Sequence, residues 1–244
     1  MPINLNYLGK PKLKNPAMVA GLPGIANVGK VAAEFLIHDL GAQKFLELTS
    51  EHFPEWALPD KGGIRAMKME FFHARPEGTK NDLVIMTADA QAATPKGQYM
   101  LTEEILGLAE EHGIKTVATM AAYVISPEET RKKLVLGAAS NQKMVDLLKK
   151  KGVEILTNGM IVGMNGMLPG FAALRGMDGF CLLGVTDGGI VDPKASAEVV
   201  QAMASIFDFK VDTSDLEMHA AVAAKIKPPE VRGAEAEEEL SYIR

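Results

Sequence analysis

Apolar residues in this chain fall into two alternating kinds of run. Ala17-Met18-Val19-Ala20 and Leu83-Val84-Ile85-Met86 are short and continuous, as in strands covered on both faces. Between them Val28, Val31, Ala32, Phe35, Leu36 and Leu40 recur at i, i+3, i+4, i+7 and i+8, which predicts a helix. Lys30, Glu34 and His38 fall on its other side, and Gly41 stands where a left-handed cap belongs. Phe45–Thr49 reads as a second strand. Ile64–Phe72 alternates and reads as a half-exposed one.

The same rhythm continues. Thr94-Pro95 is a cap residue followed by proline, and the helix it opens ends at Gly113. Lys115–Ala122 is strand-like, and Ser126-Pro127-Glu128-Glu129 is a capping box that starts a short helix. A short strand at Leu134-Val135-Leu136 and a helix over Asn141–Lys151 follow. Val153–Leu156 and Met160–Val162 are strand candidates around the turn Asn158-Gly159. Phe180–Val185 is a buried strand, Asp192-Pro193 opens a helix, and a last helix runs from Thr213 to Ile226. This alternation predicts an α/β fold, a three-layer αβα sandwich around a mixed, mostly parallel central sheet. Residues 1–227 form a single domain. Pro228-Pro229 stops the last helix, and 228–244 reads as an acidic, flexible tail.

Composition narrows the function. The chain of 244 residues has a net charge of −5, which argues against nucleic acid or an anionic membrane as partner. No run approaches the roughly 18 apolar residues of a membrane helix, and no signal peptide is visible, so a cytoplasmic protein is expected. The single cysteine, Cys181, lies in an apolar strand and reads as an inert core thiol.

Gly24-Ile25-Ala26-Asn27-Val28-Gly29-Lys30 satisfies the G-x-x-x-x-G-K part of a phosphate-binding loop, between a strand and a helix. The next residue is Val31, where such a loop needs a Ser or Thr hydroxyl for Mg²⁺. Val28 and Val31 are already in helical phase, so Lys30 lies inside the helix. A tight strand-to-helix turn explains the glycines better than a nucleotide site. None of the five histidines has a partner at metal-ligand spacing, and no G-x-S-x-G elbow occurs, so neither metal, cofactor nor catalytic residue is assigned. Asn27, Asn165 and Asp187 each follow a strand candidate, where open α/β sheets place ligands. They are candidates for one small-molecule pocket, as in a phosphorylase- or hydrolase-type binder or enzyme. The alternative is that they serve turns and caps.

The ordered set Gly21-Leu22-Pro23-Gly24-Ile25-Ala26-Asn27-Val28-Gly29, the glycine-repeated Gly159–Gly170, Gly179–Val185 with Thr186-Asp187-Gly188, and Asp192-Pro193 before an apolar helix resembles the proteasome assembly chaperone family, in its archaeal and bacterial branch. The resemblance covers Leu13 to Ile226. It implies a phosphorylase/hydrolase-like αβα fold, homo-oligomers, no established active site, and a role in proteasome assembly by ATP-independent protein binding. Proteasome α subunits or a related assembly factor would be the partners. Archaeal relatives can end in a hydrophobic–tyrosine–any motif that docks between α subunits. Here the end is Leu240-Ser241-Tyr242-Ile243-Arg244, with tyrosine third from last rather than second. Leu240, Tyr242, Ile243 and Arg244 are the docking candidates.

Overall fold

The computed structural model describes residues 3–125 and 134–216. The predicted short helix at Ser126, most of the predicted helix Thr213–Ile226, and the tail lie outside them.

The strands are β1 (Asn4–Tyr7), β2 (Ala17–Gly21), β3 (Gln43–Thr49), β4 (Ala57–Asp60), β5 (Gly63–Ala66), β6 (Met69–Ala74), β7 (Leu83–Ala88), β8 (Thr116–Val124), β9 (Val135–Ala139), β10 (Glu154–Ile155) and β11 (Asp178–Thr186). The helices are α1 (Val28–Asp39), α2 (Pro95–Glu111), α3 (Gln142–Lys150), α4 (Met164–Leu174) and α5 (Pro193–Phe207). Nine strands form one sheet in the order β1-β3-β6-β7-β2-β8-β11-β9-β10. One face carries α1, α3 and α5, whose apolar sides share a core with Val19, Ile85, Ala118 and Phe180. The other carries α2 and α4, packed on Met18, Met86 and Val117. The three-layer αβα architecture is therefore present.

The sheet is mixed, with its parallel part in the middle. β7, β2, β8 and β11 run parallel, as do β9 and β10. The other four pairings, β1–β3, β3–β6, β6–β7 and β9–β11, are antiparallel. The expected excess of parallel pairing gives way to an even split, because hairpin-like returns feed both flanks. β2, β7 and β11 are buried along almost their whole length, as their continuous apolar runs require.

Three helix caps are made among the described residues. The Thr94 hydroxyl accepts from Gly97 N at 3.1 Å, Asn141 Oδ1 from Met144 N at 3.0 Å and Asp192 Oδ1 from Ala195 N at 2.9 Å. Each such bond contributes about 1 kcal/mol. Gly41 and Gly113 take left-handed φ values of 56° and 71° beyond their helices.

Four details differ from the expectation. β1 has no strong apolar signature and adds itself antiparallel to β3. Ile64–Phe72 is two strands in two sheets: β5 pairs only with β4 in a projecting hairpin, and β6 belongs to the main sheet. Asp89 joins the two parts. It accepts from both Arg65 Nη atoms, at 2.5 and 2.9 Å, and from Lys68 N at 2.9 Å. Met160–Val162 is no strand but an exposed strap. The glycine-rich stretch after it, for which the sequence predicted no element, is helix α4 with Pro169 inside.

Lys30 is the fourth. It is only 5% exposed rather than on an outer polar face. Its ammonium donates to Ala88 O at 2.8 Å and pairs with Glu34 at 2.8 Å. The lysine that mimics a phosphate-binding loop is a tie between α1 and the end of β7.

Candidate functional site

The parallel strands end together, and the turn after β2 is the first wall of what lies there. Ala26 and Asn27 both adopt left-handed conformations with φ near 48°. Asn tolerates this region, whereas alanine there costs of the order of 1 kcal/mol. The strain is held by hydrogen bonds. Asn27 N donates to Gly24 O at 3.0 Å, Asp192 N donates to Ala26 O at 3.0 Å, and Asn27 Nδ2 donates to Ile190 O at 3.2 Å. Asp192 is fixed in turn, since its Oδ2 accepts from the Thr186 hydroxyl at 2.6 Å.

The glycines of this turn are needed for close approach. A Cβ on Gly21 would lie 2.0 Å from Gly29 O, and one on Gly29 would lie 2.1 Å from Met120 O. The first turn of α1 thus rests directly on the backbones of β2 and β8, which is the structural use expected of the motif.

The opposite wall is α4. A proline six residues into a helix removes the bond to the carbonyl four residues back. Here that carbonyl is Asn165 O, and the buried Thr119 hydroxyl of β8 donates to it at 2.5 Å. Gly163, with φ 81°, precedes the helix and has no side chain to cap it. Gln91, from the loop after β7, does so instead: Met164 N donates to its Oε1 at 2.8 Å, while its Nε2 donates to Pro23 O at 2.7 Å. One carboxamide therefore clamps the α4 N-terminus to the turn after β2. The sequence carries no local sign of this role, because Gln91 acts between segments about 70 residues apart.

Between these walls, at the ends of β2, β8 and β11, lies a cleft of about 510 Å³. Its floor is apolar, with Leu22, Ala121 and Leu183, and the strap supplies Ile161, Val162 and Met160. The polar contributors are Gln91, Gln98, Tyr123 and Asn165, and no charged side chain is among the described lining residues. Asn165 is 4% exposed and its Oδ1 has no hydrogen-bond partner.

Of the three residues suggested for a common pocket, Asn165 lines this cleft. Asn27 and Asp187 are not among its lining residues. Asn27 spends its side chain on Ile190 O on the α1 side of the sheet, whereas α4 lies on the other face. Asp187 is exposed. Leu240, Tyr242, Ile243 and Arg244 lie outside the described residues. Among the described residues no three His, Cys, Asp or Glu side chains are grouped as metal ligands, and no helix is long and apolar enough to cross a membrane. Cys181 is buried, and burial pushes its thiol up to about 12, which makes it a poor nucleophile.

The rim of this end of the sheet is unusually apolar. Met160 is 89% exposed, Val162 81% and Ile25 54%, and Val124, Leu134 and Ile190 are exposed beside the ends of β8, β9 and β11. Exposed apolar groups gathered in one place mark contact surfaces.

Comparison with known proteins gives a consistent picture. The sequence profile described as the PAC2 family matches residues 18–227. An uncharacterised protein of Methanocaldococcus jannaschii is 33% identical over 252 aligned positions, covering 95% of this chain and 93% of the relative. The crystal structure of Pyrococcus furiosus PbaB, described as an archaeal proteasome activator, is 34% identical with a TM-score of 0.82, covering 92% of this chain and 97% of that one. Pyrococcus furiosus PbaA, described as an archaeal homolog of proteasome-assembly chaperone, is 26% identical with a TM-score of 0.75, covering 92% and 94%.

Proposed function

The chain belongs to the PAC2 family, and on that premise we propose that it is a homo-oligomeric, ATP-independent chaperone-like protein that assists proteasome assembly through protein–protein binding in the cytoplasm. The observation that carries this reading is the similarity along nearly the whole chain to PbaB, a protein described as a proteasome activator. The apolar rim at the strand ends supports it, since Ile25, Met160 and Val162 offer contact area to a partner protein. The C-terminal residues Leu240, Tyr242, Ile243 and Arg244 are assigned to docking between proteasome α subunits. Leu240, Tyr242 and Ile243 offer apolar and aromatic surface to a partner after an acidic segment.

Native mass spectrometry of the full chain, alone and with proteasome α subunits, tests the reading. The expected result is a homo-oligomer that associates with the α subunits equally with and without Mg-ATP. Removal of the last five residues is expected to weaken that association. A monomer that binds α subunits neither with nor without those residues would overturn it.

A further inference from the structure

We propose that the cleft at the ends of β2, β8 and β11 binds a small neutral ligand with an amide-type edge, an N–H beside a carbonyl or ring nitrogen, on an apolar body. This site does not need the protein-binding reading above, although Ile25, Met160 and Val162 border both surfaces. Its centre is Asn165. A buried side-chain acceptor without a partner is uncommon in native proteins and calls for a group to fill it. Three carboxamides stand in the wall, Gln91, Gln98 and Asn165. Gln98 gives its Nε2 to Ala92 O at 3.3 Å. Gln91 has its Oε1 taken by Met164 N and its Nε2 given to Pro23 O. Asn165 lines the same cleft with its Oδ1 unbonded. A leucine would fill that place in the core without leaving a desolvated acceptor.

The lining sets the rest of the ligand's chemistry. An unpartnered carbonyl oxygen demands an N–H or O–H donor. With no charged side chain among the described lining residues, a carboxylate or phosphate would be desolvated without compensation. The first amide of α4 is already spent on Gln91, so its helix N-terminus offers an anion less than a free one would. Leu22, Ala121 and Leu183 suit an apolar or planar body, and about 510 Å³ lies within the range of small-molecule sites. Gly24 leaves the approach open: a Cβ there would already stand 4.0 Å from both Asn165 Nδ2 and Gln91 Nε2.

Isothermal titration of the full chain with uracil and nicotinamide, and with benzoate as an anion of similar size, tests the proposal. At least one of the two neutral amides is expected to bind with a Kd below about 1 mM, and benzoate to bind at least about tenfold more weakly. Asn165→Leu is expected to weaken the amide about tenfold or more. Gly24→Val, on an exposed turn whose extended backbone admits any residue, is expected to do the same while leaving the core untouched. Binding that is unchanged in Gly24→Val, or benzoate equal to the amides, would overturn the assignment. So would no heat from either amide at about 10 mM, the result expected if water alone satisfies Asn165.

Discussion

The seat of α1 on the sheet makes a sharp prediction about one methyl group. In Gly29→Ala the new Cβ would lie 2.1 Å from Met120 O, whereas an ordinary contact begins near 3.4 Å. The helix must retreat by the difference, 1.3 Å, because the obstacle is backbone and has no rotamer to change. That retreat loosens Val28, Val31, Ala32, Phe35 and Leu36, all buried beneath α1. Overpacking of a core costs about 1–3 kcal/mol when side chains can adjust, so a backbone clash belongs at or above the upper end. About 3 kcal/mol is a substantial part of the roughly 5–15 kcal/mol that holds a domain together. For a chain of this size it corresponds to a fall in Tm of about 6–12 °C. Gly107→Ala is the control. It lies within α2 and nothing stands within 4 Å of its absent Cβ, so the same change should stabilise by up to about 1 kcal/mol through helix propensity. Urea denaturation of both variants against the parent measures the two effects. If Gly29→Ala is as stable as the parent while Gly107→Ala behaves as stated, the direct backbone seating of α1 is wrong.

Three further outcomes follow from the same structure. Lys68, donating at 2.5 Å, together with Lys44 holds the Glu47 carboxyl at about 2, below its usual value. Its contribution is then fully present above pH ~4.5 and lost as pH falls toward 2; Glu47→Gln should cost about 1 kcal/mol at pH 7 after allowance for solvent screening, with the gap to the parent closing in acid urea melts. Thr119→Val leaves Asn165 O, already deprived of its helical bond by Pro169, without its donor; urea melts should show a loss of about 2 kcal/mol. Cys181 should resist iodoacetamide at pH 8 in the folded protein and react fully in urea, so rapid labelling under native conditions would contradict its buried, raised-pKa environment.

What the sequence disclosed and what it hid follow from how far apart the interacting groups lie along the chain. The helix caps at Thr94, Asn141 and Asp192 were legible because donor and acceptor are three residues apart. The central strands were legible because burial on both faces requires continuous apolar runs. β1 was not: a half-exposed edge strand has no such requirement, and its pairing is decided by β3. Lys30 looked like an outward residue because periodicity assigns a side, and it is silent about a carbonyl 58 residues away that can hold an ammonium inside.

The site shows the same division most plainly in α4. Gly163, Gly166, Pro169 and Gly170 are breaker residues, and local rules predict no helix across them. The helix survives because each local defect has a distant remedy. Gln91 replaces the missing cap, Thr119 replaces the donor that Pro169 lacks, and Gly166 lets the strap pass close, since a Cβ there would lie 2.3 Å from Ile161 O. Those remedies also fix Asn165 in the first turn of α4, facing a cleft whose walls come from the segments that supply them. Its candidacy rested on a strand expected at Met160–Val162; that segment is a strap, and Asn165 reaches the cleft from the first turn of α4 instead. Its separation from Asn27 and Asp187 was not legible, because that depends on α1 and α4 covering opposite faces of the sheet. A helix built from such residues is improbable on propensity alone, so its position is set by the cleft-forming contacts rather than by its own sequence.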